Sequence, residues 1–308
     1  MKFRFLTADV FTDRPFGGNQ LAVLPDARGL DDEQMLNVAR EFNFSETVFV
    51  FPPEKGHTRK LRIWTPGGEL PFAGHPTVGA AHVLAAIGEI PLNGGETHIV
   101  FEEGVGPVSV MIRARDGKPV FAQLTAAKLP EVGPPVPARE TLADILSLEA
   151  KDLVGAQWAP QAVSCGLPFL FVPLRDRDAV KRSRIRFDQW ERTLGSAWAK
   201  DIMVFSRDPE REGSDIRARM YGPGVSVPED PATGSACAAL GGYLAARDTT
   251  TDGTLRWVVE QGFEMGRPSI LEIEVDKRNG AVTAVRVGGA SVVMSEGTIE
   301  VKAVGGGR

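Results

Sequence analysis

The sequence predicts an α+β protein of two pseudo-symmetric domains, each a curved, mostly antiparallel sheet or barrel around a central apolar helix. Three observations carry this. Two helical stretches, FAGHPTVGAAHVLAA at 72–86 and DPATGSACAAL at 230–240, are small and apolar on every side, whereas a surface helix alternates polar and apolar faces. Short strands joined by tight turns flank both, so the container each helix needs is a sheet wrapped round it. The order of elements also repeats. Met35 and Trp190 are 155 residues apart, as are Val48 and Met203, while Thr77 and Thr233 are 156 apart. A repeat this long is a duplicated domain rather than a solenoid. The expected domains are 1–128, joined by the returning segment 293–308, and 129–292.

In the first half, Lys2–Val10 reads as a strand and TDRPFGGNQ as a turn-rich loop, with LAVL as the next strand. Asp31 opens an amphipathic helix with Met35, Val38, Ala39 and Phe42 at helical spacing. ETVFVF and KLRIW are strands, and the apolar helix follows with Pro76 at its start. Strands Val108–Arg113 and Val120–Leu124 flank a hairpin turn at Asp116–Gly117. KLPEVGPPVP, at 128–137, has the composition of a linker.

The second half runs in the same order. GLPFLFVPL is a strand, and Trp190, Leu194, Ala197 and Trp198 mark a helix. IMVFS and IRARMY are strands. Asp230 and Pro231 read as the N-cap and first position of the second apolar helix. Strands Ile270–Val275 and Val282–Val287 flank Asn279–Gly280. The basic run from Arg175 to Arg186 alternates with Asp176 and Asp178, as a solvated loop would.

Composition narrows the function. A net charge of −5 speaks against nucleic-acid or anionic-membrane partners. Two cysteines, Cys165 and Cys237, are too few for a disulfide framework and suit a reducing cytosol. Asp9 interrupts the N-terminal segment before a signal-peptide core forms. The apolar stretch Val78–Ile87 contains His82 and is too short to span a bilayer. A soluble, cytoplasmic protein is expected. His57, His75, His82 and His98 show no zinc-helix spacing, and no dinucleotide fingerprint, P-loop or G-x-S-x-G elbow is present.

The chemistry concentrates at the mouths of the two apolar helices. A helix N-terminus presents unpaired N–H groups and partial positive charge, and Gly74 and Gly234 let a ligand approach the backbone. Such mouths suit a small carboxylate. His75, Asp230 and Ser235 lie there. Glu46 stands where helix turns to strand, and its counterpart at offset 155 is Asp201. Each residue also has a plain structural reading. Asp230 and His75 could cap their helices, Glu46 could be a solvated carboxylate, and Ser235 could bond back to a carbonyl. Asn19 suits a turn as well as a cleft lining, and Arg267 is a candidate for binding a carboxylate.

Five ordered stretches, DVFTDRPFGGNQLAV, FSETVFV, FAGHPTVGAA, EDPATGSACAAL and QGFEMGRPS, together resemble the phenazine-biosynthesis PhzF-like isomerase family, which shares the diaminopimelate epimerase fold. The resemblance spans about the whole chain. It implies an active site between two pseudo-symmetric domains, no metal or organic cofactor, and a homodimer. It places the acid/base carboxylate on Glu46, with His75, Asp230 and Ser235 as the other site residues. The implied reaction is an isomerisation by proton shift on a small carboxylated substrate such as a dihydro-hydroxyanthranilate. The related epimerases use two opposed cysteines. Here the matching positions carry Ala73–Gly74 and Asp230, and neither Cys165 nor Cys237 fits them. An amino-acid or sugar-acid epimerase, or a non-catalytic binding protein retaining the fold, stay open as alternatives.

Overall fold

The computed structural model describes residues 1–225 and 227–302; positions 303–308, the end of the segment expected to return to the first domain, lie outside the described residues. The chain divides into two compact units, residues 1–125 with 288–308 and residues 126–287.

In the first unit, β1 (Lys2–Val10) pairs antiparallel with β2 (Asn19–Leu24) and with the last strand of the chain, Ser291–Glu300. The helix α1 (Asp32–Phe42) then crosses over to β3 (Glu46–Phe51), which runs parallel to β2 with Glu46 beside Leu21. Asp31 caps α1 through a capping box with Gln34. Next come β4 (Arg59–Thr65), antiparallel to β3, and the short β5 (Gly68–Leu70). The apolar helix α2 (Gly74–Ala86) is the second crossover, leading to β6 (Glu96–Glu103), parallel to β4. The hairpin of β6, β7 (Gly106–Arg115) and β8 (Lys118–Thr125) completes the sheet. Asp116 and Gly117 turn it with φ of 51° and 72°, the pair of left-handed residues that a two-residue hairpin needs.

This sheet curls round α2, which touches β1, β2, β3, β7, β8 and the final strand. Every residue from Gly74 through Ala85 is buried. An all-round apolar helix has no solvent face to lose, so enclosure is its stable place.

The second unit repeats the plan. A two-residue β9 (Glu131–Val132) pairs with β10 (Gln161–Ser164), inside the stretch whose composition suggested a linker. After β9 comes the short helix α3 (Arg139–Ile145). Strand β10 pairs antiparallel with β11 (Pro168–Pro173). Helices α4 (Arg177–Arg182) and α5 (Phe187–Leu194) cross over to β12 (Asp201–Ser206), parallel to β11 with Asp201 beside Phe169. Asp176 caps α4 by accepting from the Ala179 N–H, so the basic run expected as a loop forms a short helix. Strand β13 (Ile216–Gly222) is antiparallel to β12 and to β14 (Val227–Asp230). The second apolar helix, α6 (Gly234–Ala245), crosses to β15 (Gly253–Gln261), parallel to β13, and β16 (Ser269–Arg278) pairs with β15. Strand β17 (Ala281–Gly289) follows, and the final strand is β18 (Ser291–Glu300).

One expectation changes. Helix α6 begins at Gly234 with Thr233 at its N-cap, so Asp230 ends β14 and does not cap the helix, and Pro231 lies before the helix rather than at its first position. The reason is local. Thr233 is held by side chains on both sides, donating to Asp230 and accepting from Gln261, which keeps 231–233 in a turn. At the offset that pairs Thr77 with Thr233, α2 therefore begins a turn earlier than α6. His75 occupies that extra turn.

Candidate active site

In the first unit, Glu46 is the first residue of β3 and His75 the second of α2. His75 Nε2 lies 3.4 Å from Glu46 Oε2, beyond the usual range of an N–H···O hydrogen bond. On its other face, His75 Nδ1 lies 3.3 Å from Asn19 Nδ2. Asn19 Oδ1 in turn accepts from Ser45 Oγ at 3.0 Å. The Nδ1 side of the ring is thus hydrogen-bonded, whereas Nε2 faces Glu46 and makes no hydrogen bond among the described residues. His75 is buried, and burial pushes its ring down to about 3 against a hydrogen bond to the Gln20 backbone. The imidazole is therefore neutral at physiological pH. The side chain of Glu46 keeps 16% of its exposure, which leaves it a route to a ligand.

Asn19 is placed by its loop. Phe11 and Phe16 both take a left-handed φ of 67°, and Asp9 accepts from the Phe16 N–H at 2.8 Å. Gly18 has φ of 64°, and a Cβ there would lie 2.3 Å from the Val10 carbonyl oxygen, so only glycine fits. Asn19, the first residue of β2, then points into the core beside His75 rather than lying in an exposed turn.

In the second unit, Asp230 Oδ2 accepts from Thr233 Oγ1 at 2.5 Å, and Gln261 Nε2 donates to the Asp230 carbonyl at 2.7 Å. Ser235 is half-buried on the first turn of α6, whose start no side chain caps. Arg267 sits in the loop between β15 and β16, its N–H bonded to the Gly262 carbonyl. A Cβ on Gly262 would lie 2.4 Å from the Arg267 carbonyl oxygen and 2.5 Å from that of Pro231. The Arg267 loop is thus packed beside the turn that follows Asp230. Each unit accordingly gathers its own candidates: Asn19, Glu46, Gly74 and His75 in one, Asp230, Gly234, Ser235 and Arg267 in the other.

Neither cysteine is poised as a base. Cys165 is pushed up to about 12 by burial. Cys237 is fully buried on α6 and is also pushed up, by burial and then by the charge of Asp230. A thiol in either setting stays protonated. Among the described residues no group of three or more His, Cys, Asp or Glu is placed to hold a metal, and no helix is long and apolar enough to cross a membrane.

Sequence reasoning passed over Ser45, Glu103 and Gln261. A signal for the last two exists in a second short repeat, FEEG at 101–104 and VEQG at 259–262, each at the end of the strand following an apolar helix.

The family of phenazine biosynthesis-like proteins matches residues 8–297. The chain belongs to this family. Among its relatives is an uncharacterized isomerase of Mesorhizobium japonicum, 38% identical over 96% of this chain and 98% of that protein. The trans-2,3-dihydro-3-hydroxyanthranilate isomerase of Pseudomonas fluorescens is 31% identical over the same shares. The crystal structure of a Bacillus anthracis phenazine biosynthesis protein of the PhzF family matches with a TM-score of 0.88 at 24% identity, covering 98% of this chain and 100% of that one. The fold is the PhzF fold, of the diaminopimelate-epimerase-like kind, and these two relatives are named as isomerases.

Proposed function

We propose that this PhzF-family chain is an isomerase that shifts a proton within a small carboxylated ring, by general acid/base catalysis and without a metal or organic cofactor. The observation that carries the reading is the placement of Glu46 3.4 Å from the Nε2 of a buried, neutral His75. A neutral imidazole beside a carboxylate does not capture it in a full ion pair, which leaves it basic enough to accept a proton from carbon.

The step balances within the substrate. Glu46 takes a proton from an activated ring carbon, the double bonds shift, and the same carboxyl, whose proton exchanges with solvent in between, gives a proton to another carbon, so nothing is oxidised or reduced. Taken by itself, the second unit has chemistry suited to a carboxylate, in the Ser235 hydroxyl and the start of α6 that no side chain caps. In the same unit Asp230, steadied by Thr233, is suited to accept from a hydroxyl or amine. The relative from P. fluorescens suggests a dihydro-hydroxyanthranilate as the first compound to try.

The test is turnover in heavy water. The protein is incubated with trans-2,3-dihydro-3-hydroxyanthranilate, and separately with proline, hydroxyproline and diaminopimelate, and deuterium entering carbon is followed by mass spectrometry. Isomerised ring product carrying solvent deuterium is expected. Exchange confined to the α-carbon of an amino acid would make the chain an epimerase. Binding with no exchange in any compound would make it a non-catalytic member of the family.

A further inference from the structure

Glu103 ends β6 with its side chain buried beneath α2, and the proposed reaction gives it no part. Its Oε1 lies 2.8 Å from Thr77 Oγ1, and the same hydroxyl lies 2.8 Å from the Ala73 carbonyl oxygen. A threonine hydroxyl has one hydrogen. It cannot donate to a carbonyl and a carboxylate at once, and a carbonyl oxygen donates nothing. Both contacts are satisfied when Glu103 carries a proton and donates it to Thr77, which passes its own hydrogen to Ala73. The other oxygen, Oε2, is buried with no partner among the described residues, a far greater penalty for a carboxylate than for a neutral acid.

The second unit holds an independent copy of the arrangement. Glu102 stands beside Lys60 in the parallel pair β4–β6, as Glu260 stands beside Arg217 in β13–β15. Both carboxylates accept backbone N–H groups, Glu102 from residues 54, 55 and 57 and Glu260 from 210 and 211. The next residue is Glu103 in one unit and Gln261 in the other. Gln261 Nε2 donates to Thr233 Oγ1 at 2.9 Å, and Thr233 passes its hydrogen to Asp230. A glycine follows in each case, packed against the chain entering the central helix: Gly104 against Pro71, Gly262 against Pro231. The duplicated position thus holds an amide that donates and cannot ionise.

We propose that Glu103 is a protonated carboxylic acid serving as a hydrogen-bond donor, the first unit's equivalent of Gln261, and that by fastening Thr77 to β6 it positions His75 two residues away. The protonation stands on this geometry alone; the consequence for activity rests on the reading of Glu46 and His75 as the reacting pair. Burial pushes Glu103 up to about 8, against the Thr77 hydrogen bond, with no charge contributing. The surroundings agree. On α2, His75 and His82 are pushed down by burial to about 3 and about 4. On β4, Lys60 is paired with Glu54, and on β7 the residue opposite Glu103 is Gly106.

Glu103→Gln keeps the donor and removes the titration; Glu103→Ala removes both. In the infrared spectrum at pH 7, the wild type should show a carboxylic-acid C=O stretch that disappears near pH 8 and is absent from Glu103→Gln. The folded-state proton affinity exceeds the unfolded one, so the native protein holds an extra proton between pH 4.5 and about 8 and loses stability as pH rises through that window. Glu103→Gln should therefore match the wild-type Tm near pH 4.5 and exceed it by a few degrees at pH 8. It should keep ring-isomerising activity and hold it above pH 8, where the wild type declines, while Glu103→Ala should lose about tenfold or more. An ionised carboxylate at pH 7, or equal pH slopes in Tm, would overturn the protonation. An unchanged alkaline decline in Glu103→Gln, with the infrared result intact, would overturn the positioning role. A wild type that turns over no compound would count against the isomerase reading, and the infrared and Tm results would still decide the state of Glu103.

Discussion

His75 sits 3.4 Å from a carboxylate, an arrangement that ordinarily raises the affinity of an imidazole for a proton. Here burial wins and drives the ring down to about 3. The sign matters for both stability and chemistry. In the unfolded chain the ring takes a proton below about pH 6.5, which the native state refuses until about pH 3, so His75 contributes a loss of stability as pH falls through that window. Beside Glu46 the ring is therefore neutral rather than a cation. The Hε1–Cε1 NMR correlation of His75 should show no titration between pH 5 and 8; a midpoint near 6.5 would mean that the ring is solvated or charged. His75 and Glu46 themselves stood out in the sequence, because a histidine at the mouth of an apolar helix and an acid at a helix–strand junction are odd choices there. Their support did not. Asn19 is 56 residues from His75 and Ser45 is 26 from Asn19, and no periodicity reports a hydrogen bond that depends on how three loops meet.

At the scale of elements, the size of the residues on the apolar helices is set by the sheet around them. A Cβ on Gly242 of α6 would stand 2.4 Å from Pro130 Cβ and 2.6 Å from its Cγ. The Pro130 ring cannot swing aside as a flexible side chain could. Replacing a helical glycine by alanine gains about 1 kcal/mol in propensity, whereas overpacking costs about 1–3 kcal/mol. Gly242→Ala should therefore lower the denaturation midpoint, with the m-value unchanged; a raised midpoint would show that α6 has slack against Pro130. Elements with a strong period or an unmistakable turn were legible in the sequence: β1, β3, α1 and the Asp116–Gly117 hairpin all follow from local pattern. The short pieces were not. Strand β9 is two residues long and exists because Val132 and Glu131 meet Val163 and Ser164, so a proline-rich composition hides it. The start of α6 was misplaced for a similar reason: Asp230–Pro231 has the chemistry of a helix start, but Gln261, thirty-one residues away in sequence from Asp230, holds its carbonyl in a turn.

Over the whole molecule, duplication explains why the chain carries two acids at one position and uses them differently. Glu46 and Asp201 are each the first residue of the second strand in a parallel pair. Glu46 faces His75. Asp201 instead accepts from the Gly224 N–H at 2.8 Å, and burial raises it to about 6. The repeat at offset 155 was visible in the sequence, since it needs only matched patterns, but the divergence of the two acids was not, because it arises from what each one faces. Only Glu46 faces His75, so the proposed proton transfer falls to Glu46. The most direct test is deuterium exchange from heavy water into the ring substrate by Glu46→Gln and Asp201→Asn, with binding of the same compound followed by calorimetry. Glu46→Gln keeps shape and hydrogen bonding while removing the base, so it should bind the compound and lose exchange by about 10²–10⁴-fold. Asp201→Asn should exchange at close to the wild-type rate. Exchange retained in Glu46→Gln, or lost in Asp201→Asn alone, would contradict the assignment.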